Sequence, residues 1–271
     1  MSSARPPTSL SRWGGSASAY AASFARLCAG AVEALLDETR VGHLRDLRLL
    51  DVGTGPGTLA ADAITRGARV IAADPDAAML AFAAGQVPGA TLVRAAAPGL
   101  PFRSGSFDVV TANFVLNHVG DPRRALADLV RVTTLGGEVA LTIWPSGLSA
   151  MNQLWGDVLA ASGADAPPNT PLPQELDFPR SVAGLGDLLI GAGLVPERVV
   201  RHDWTFRIPP EVLWLGPAGG VATIGAAYLS QSDETRRRMK REYDRLVRPL
   251  TRDGMLELPM TAILAVGEKH H

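Results

Sequence analysis

The chain has 271 residues, 46% of them apolar, enough to bury a full core as one α/β domain with elaborations. Lys and Arg number 26 against 27 for Asp and Glu, and this formal net charge of -1 excludes the basic footprint of a nucleic-acid or anionic-membrane binder. Cys28 is the only cysteine, so no internal disulfide or cysteine-based zinc site can form and a reducing cytoplasm is the expected compartment.

From the N-terminus, the alanine-rich stretch Ser16 to Leu36 is interrupted by Arg26 and Glu33. It therefore predicts an amphipathic helix near 18–37, close to Trp13 and carrying Tyr20, and not a signal sequence. Apolar runs and helical periodicity then alternate: strand Arg48 to Val52, helix Thr58 to Arg66, strand Arg69 to Ala73, helix Asp76 to Gln86, strand Thr91 to Ala95. Strand Phe107 to Thr111, helix Pro122 to Thr133, the turn Leu135-Gly136-Gly137 and strand Glu138 to Trp144 follow. Alternation of this kind marks a parallel sheet covered on both faces. Beyond 145 the pattern loosens into a helix over Met151 to Ser162, a Pro-rich loop Ala166 to Pro173, a helix from Ser181 to Gly191 and a strand Val195 to Phe206. Helical material and a last strand Leu256 to Val266 complete the chain. No run of eighteen uncharged apolar residues exists, so no membrane span is expected. His270 and His271 resemble the start of a purification tag and are kept out of the chemistry.

The most informative segment is Leu49-Leu50-Asp51-Val52-Gly53-Thr54-Gly55-Pro56-Gly57. It sets a carboxylate directly before a glycine-rich turn at the end of a buried strand. Glycines at 53, 55 and 57 allow a sharp turn and a close approach of backbone to ligand. Phosphate loops share that property, but Asp51 would repel a pyrophosphate across poorly screened space. A ligand with an ammonium and a sulfonium, such as S-adenosylmethionine, has the opposite preference. Gly55-Pro56-Gly57-Thr58-Leu59-Ala60 also fits the G-x-G-x-x-G/A dinucleotide pattern, with Asp74 near the spacing of a ribose-binding acid. On the glycines alone the two ligands are equally acceptable, and a turn that binds nothing is a third option.

These segments resemble the class I S-adenosylmethionine-dependent methyltransferases, in particular the small-molecule group that contains the ubiquinone and menaquinone biosynthesis enzymes. The resemblance runs over about residues 45 to 145: LLDVGTGPG, VIAADPD at 70–76, LPFRSGSFDVVTANFVLNHV at 100–119 and LVRVTTLGGEVALTIW at 129–144. It fits more loosely beyond, where Val182 to Gly193 and LELPMTAILAVGEK resemble the last crossover helix and final strand. What it implies is an α/β, doubly wound Rossmann-like fold: a seven-stranded, mostly parallel sheet with an antiparallel last strand and a helical cap. The implied organisation is a helical lid over 1–43, a cofactor-binding core over 44–145, and the rest of the sheet with an inserted substrate cap over 146–271. The implied cofactor is S-adenosylmethionine, held by Asp51, Gly53, Thr54, Gly55 and Gly57 of the first motif. Asp74 would accept both ribose hydroxyls, with Pro75 and Met79 as further cofactor contacts; Ala96 and Ala97 would serve the ring edge, Asn113 the methionyl part, and Tyr20 a lid that closes over the cofactor. One departure stands out: the family usually places an acid before LPF, where this chain reads Ala95-Ala96-Ala97-Pro98, leaving backbone groups to meet the adenine.

Methyl transfer is an in-line displacement in which charge is largely neutralised, so positioning supplies much of the rate and no strict triad is required. His118, after the fourth strand, is the candidate general base if the acceptor needs one, against the option that it only hydrogen-bonds nearby backbone. Asn113 could equally cap a local turn, and Tyr20 could simply pack. His202 and Asp203 fall inside a strand and read as surface or edge residues. The scattered histidines and the lack of an acidic cluster imply no metal site. Arg236, Arg237, Arg238, Lys240 and Arg241 share a helix with Met239, Tyr243 and Leu246 at apolar spacing, the pattern of a solvated amphipathic helix. Trp144, Trp155, Phe178, Trp204, Phe206 and Trp214 gather after the fifth strand, which favours a small apolar or aromatic methyl acceptor, in keeping with secondary metabolism. A cofactor-binding cyclase or isomerase, a nicotinamide-dependent oxidoreductase and a non-catalytic binding module are the alternatives, because fold alone does not decide function. Oligomeric state is not readable.

Overall fold

The computed structural model describes residues 17–43, 45–166 and 171–270. Trp13, His271 and part of the loop from Ala166 to Pro173 lie outside the described residues. The core is a sheet in the order β3-β2-β1-β4-β5-β8-β6, with β1 at Arg48–Val52, β2 at Arg69–Asp74, β3 at Thr91–Arg94, β4 at Phe107–Asn113 and β5 at Thr133–Ile143. β6 covers Leu194–Ile208 and β8 Met255–Lys269, while the two-residue β7, Thr251–Arg252, pairs with β8 off the main path. Pairs among β1 to β5 are parallel, and β8 runs antiparallel to both β5 and β6. The seven strands of the main path are the expected, mostly parallel arrangement with an antiparallel last strand, and β7 adds an eighth that was not expected. The sheet order reverses between β1 and β4, which opens a crevice at the carboxyl ends of those strands.

Helices cover both faces because the central strands are apolar on both, Leu49 and Leu50 on adjacent β1 positions being fully buried. On one face lie α3 (Val32–Asp37), α4 (Thr58–Thr65) and α5 (Ala77–Gln86), sharing a core with Leu49, Val70 and Val109. On the other lie α6 (Pro122–Val132) and α8 (Val182–Gly191), packed on Leu50, Val110 and Leu141. Local chemistry fixes their starts: Asp76, Asp121 and Ser181 each accept a backbone N–H of the first turn of α5, α6 and α8, and Pro122 occupies the first turn of α6. A third core joins α7 (Ala150–Ser162), α9 (Pro210–Ala218), α10 (Ala222–Ser230) and α11 (Asp233–Val247) to the far ends of β6 and β8. Trp155 stacks on Tyr243 there with centroids 5.4 Å apart. Thr235, Met239, Tyr243 and Val247 form the buried stripe of α11, and its other side is laced by Arg238–Glu234, Lys240–Asp244 and Arg245–Glu242 ion pairs.

The structure corrects several boundaries. The single helix expected near 18–37 is three segments, α1 (Ala17–Ala22), α2 (Phe24–Ala29) and α3. Ser23 breaks it with φ -115° and ψ -87°, its hydroxyl donating to Ala19 O, and Gly30 breaks it again where Trp204 presses against the backbone. The turn at 135–137 lies inside β5, whose pairing with β4 starts at Thr133 and shifts register between Phe107 and Val109. β6 and β8 are each 15 residues long, longer than expected, because they leave the sheet as a paired ribbon that carries the cap. No single described helix is long and apolar enough to cross a membrane, although α9 and α10 pass by length and composition as a pair bent by 65°.

Candidate active site

Asp51, the last residue but one of β1, is buried between Ala72 of β2 and Thr111 of β4. One carboxylate oxygen accepts from the Thr111 hydroxyl at 2.9 Å, and the other has no hydrogen-bond partner. Burial, with a smaller push from Asp74, raises this carboxyl to about 6, against the Thr54 and Thr111 hydroxyls, which favour the charged form although only Thr111 reaches full hydrogen-bond geometry. A buried carboxylate with an unused oxygen gains most from a cation placed beside it.

The chain then turns through Gly53, Thr54, Gly55, Pro56 and Gly57 into α4. Gly53 has φ +70°, and a Cβ there would lie 2.5 Å from Cγ2 of Val115. Gly55 has φ +54°, with Tyr20 packed across it. Asp74, at the end of β2, secures the turn: its two oxygens accept from Gly55 N and Asp76 N, each at 2.9 Å. Burial raises its carboxyl as well. The hydroxyl of Thr54, like Asp51 Oδ2, is buried without a partner in hydrogen-bond geometry.

A cavity of about 30 Å³ opens between this turn and α2, where Asp51, Gly53, Thr54, Gly55, Asn113 and Tyr20 meet Cys28. The sequence reading thus finds six of its candidates in one place. Gly57 lines a neighbouring cleft of about 460 Å³ with Ser18, Ala21, Ala22, Phe82 and Gln86. Asp74, Pro75, Met79, Ala96, Ala97 and His118 line neither space. Met79 is buried under α5, and His118 is partly exposed on the loop after β4, its backbone N–H donating to Val115 O at 2.9 Å. The alanine-rich loop after β3 is held from below, where Asp128 accepts from Gly99 N at 2.6 Å and Leu100 N at 2.8 Å.

Sequence reasoning missed the α2 face of the cavity, formed by Ala25, Cys28 and Ala29. Their i, i+3, i+4 spacing and small size were the available signal for a helix lying close over a ligand. Tyr20 donates to the Cys28 thiol at 4.0 Å, and burial pushes the thiol to about 12 and the phenol well above its usual value.

At the carboxyl ends of β4 and β5 stands an aromatic ladder. Phe114 stacks on Trp144 at 3.8 Å, and Trp144 meets Trp204 at 5.9 Å. Phe114 is held at φ +58°, a left-handed conformation that costs a bulky residue about 1–2 kcal/mol and that this packing sustains. Asn117 brackets the ladder by bonding both N–H and C=O of Trp144, at 2.8 and 3.2 Å. Among the described residues no group of three His, Cys, Asp or Glu side chains could hold a metal ion.

These features fit S-adenosylmethionine better than a dinucleotide: an unpartnered buried carboxylate oxygen suits a cationic ligand and opposes a pyrophosphate. Comparison with known proteins agrees. Residues 50–141 match the model of a methyltransferase domain family. A demethylmenaquinone methyltransferase from Renibacterium salmoninarum is 37% identical over 101 residues, which is 37% of this chain and 43% of that protein. The chain spans less than half the length of the curated relatives it matches. Among solved structures, the YcgJ protein of Bacillus subtilis is similar with a TM-score of 0.55 and 20% identity, covering 88% of this chain and 99% of that one. A Haemonchus contortus phosphoethanolamine N-methyltransferase solved with S-adenosylhomocysteine reaches 0.53 at 17% identity, covering 89% and 52%. At such identities these two structures establish the shared fold.

Proposed function

We propose that this protein, whose residues 50–141 match a methyltransferase domain family, transfers a methyl group from S-adenosylmethionine to a small apolar or aromatic acceptor. The observation that carries the reading is the buried, half-unpartnered Asp51 carboxylate beside the glycine turn. When bound, S-adenosylmethionine supplies an electrophilic methyl on a sulfonium centre. Asp51 offers its free oxygen to the ligand's positive charge, and Gly53, Thr54, Gly55 and Gly57 let the backbone approach. Asp74 can accept further hydrogen bonds from ribose hydroxyls while keeping those from the turn, since a carboxylate has about four acceptor sites. Pro75 and Met79 support that side, backbone groups of Ala96 and Ala97 meet the base, and Asn113 and Tyr20 close the methionyl end. Residues 1–43 act as the lid, and residues 146–271 carry the acceptor cap.

The half-buried indoles of Trp144 and Trp204 support a flat apolar acceptor, which would stack on them. His118 serves as general base for an acceptor hydroxyl or protonated amine. The demethylmenaquinone methyltransferases among the relatives make a demethylated quinone the first acceptor to try; aromatic intermediates of secondary metabolism come next. The test uses S-adenosylmethionine carrying an isotopic methyl group and a panel of quinones, phenols and aromatic amines. Formation of a labelled acceptor together with S-adenosylhomocysteine supports the proposal. Binding of S-adenosylhomocysteine with no transfer to any acceptor would favour a cyclase or isomerase that uses the sulfonium only as a charge.

A further inference from the structure

A larger cleft of about 460 Å³ lies on the other side of Pro56 and Thr58, but the cavity beside Asp51 itself is about 30 Å³, so a ligand group that reaches Asp51 must displace the helix that closes it. That helix is α2. Its carbonyl end is tied to the sheet by Asn113, whose Nδ2 donates to Cys28 O at 3.2 Å. The orientation of this amide is fixed from behind. Phe114 N donates to the Thr142 hydroxyl oxygen at 2.9 Å, which leaves the Thr142 hydrogen to go to Asn113 Oδ1. With Oδ1 so engaged, Nδ2 faces α2. Thr142 is fully buried on β5, directly opposite Asn113 in the ladder, and does not line the cavity.

We propose that Asn113 is a positioning residue: set by Thr142, it latches α2 over the cofactor cavity and so governs how fast the cofactor is released. The proposal rests on the cofactor reading above. Breaks on either side leave α2 free to move as a unit, at Ser23 and at Gly30, where a side chain would meet the Trp204 indole at 2.2 Å. Gly30 O also contacts His202 Nε2 at 3.1 Å, so the carbonyl end of α2 is held at two neighbouring points, Cys28 by Asn113 and Gly30 by His202. One N–H of the Asn113 amide is committed to Cys28, and the second is available to a ligand in the same cavity. A bound ligand would therefore help to hold the latch.

The experiment compares Asn113→Ala, Thr142→Val and Thr142→Ser by amide hydrogen exchange over residues 24–31 and by stopped-flow release of S-adenosylhomocysteine, with melting temperature measured alongside. Asn113→Ala removes the bond to Cys28 O outright, and Thr142→Val removes the bond that sets the amide, so exchange at Gly30 and Ala31 and the release rate should rise by about tenfold in both, with association little changed. Thr142→Ser, which keeps the hydroxyl, should behave as the parent. Parent-like exchange and release in Thr142→Val would overturn the latch and leave Asn113 as a direct contact. A Thr142→Ser variant as fast as Thr142→Val would overturn it in favour of simple packing. If the parent protein fails to bind S-adenosylhomocysteine, the cofactor reading fails, and the exchange measurement on the ligand-free chains still decides the latch. Asn113→Ser replaces the alanine variant should that one not fold.

Discussion

Asp51 concentrates the electrostatic argument in one side chain. Its carboxyl is raised from about 3.9 in an unfolded chain to about 6 in the fold, so the folded state holds its proton more tightly between those values. The associated stability is fully present below about pH 4 and is lost as pH rises through 6, a swing of about 3 kcal/mol. Two outcomes are expected. Asp51→Asn should be the more stable protein at pH 7.5 in denaturant titration, and it should have lost most of its affinity for S-adenosylhomocysteine. In the parent, affinity should rise by up to about tenfold per unit between pH 5 and 6 and level off above, because the cationic ligand needs the ionised carboxylate. A pH-independent affinity over that range would detach Asp51 from the ligand. Gly53→Ala should cost about 2 kcal/mol or more through positive φ and collision with Val115, whereas Gly55→Ala meets only Tyr20 at ordinary contact distance and should cost less; equal melting temperatures would refute this ranking. His118→Ala separates chemistry from scaffolding. As a general base its loss should lower turnover by about 10²–10⁴-fold at unchanged cofactor affinity and melting temperature, and near-normal turnover in a destabilised variant would end the assignment.

At the scale of elements, the strands and their covering helices were legible because apolar runs, caps and turn glycines all agree on them. The motif acid and the turn glycines followed from the same segment, and six candidate residues do converge on one cavity. The division of the N-terminal helix was not legible, because Ser23 and Gly30 are both tolerated inside helices: Ser23 turns its hydroxyl back onto Ala19 O, and only at Gly30 does packing against Trp204 accompany the break. Nor was the engagement of Asn113 with α2, since a contact across 85 positions leaves no local trace. One element-scale staple is testable. Arg40, in the turn after α3, pairs with the buried Glu138 of β5 at 3.2 Å and with Glu268 of β8 at 2.6 Å. Burial raises the Glu138 carboxyl, and Arg40 offsets part of that. Arg40→Ala should cost about 1–3 kcal/mol at neutral pH. The deficit should shrink as pH falls and Glu138 takes up a proton; a deficit constant from pH 5 to 8 would remove the ion pair as its cause.

For the whole molecule, the sheet order places Asp51, the glycine turn and Asp74 at the reversal between β1 and β4, and the long β6–β8 ribbon brings a separate aromatic core over the same end. The segments matched in relatives, residues 50–141 among them, lie in the part that carries the glycine turn and Asp74. Cofactor identity rests on that part and is the claim from which the proposed function follows. Isothermal titration of the purified protein at pH 7.5 with S-adenosylhomocysteine and, separately, with NAD tests it most directly. The account predicts one S-adenosylhomocysteine bound per chain, weakened in Asp51→Asn, and no heat from NAD; binding of NAD with none of S-adenosylhomocysteine would contradict it.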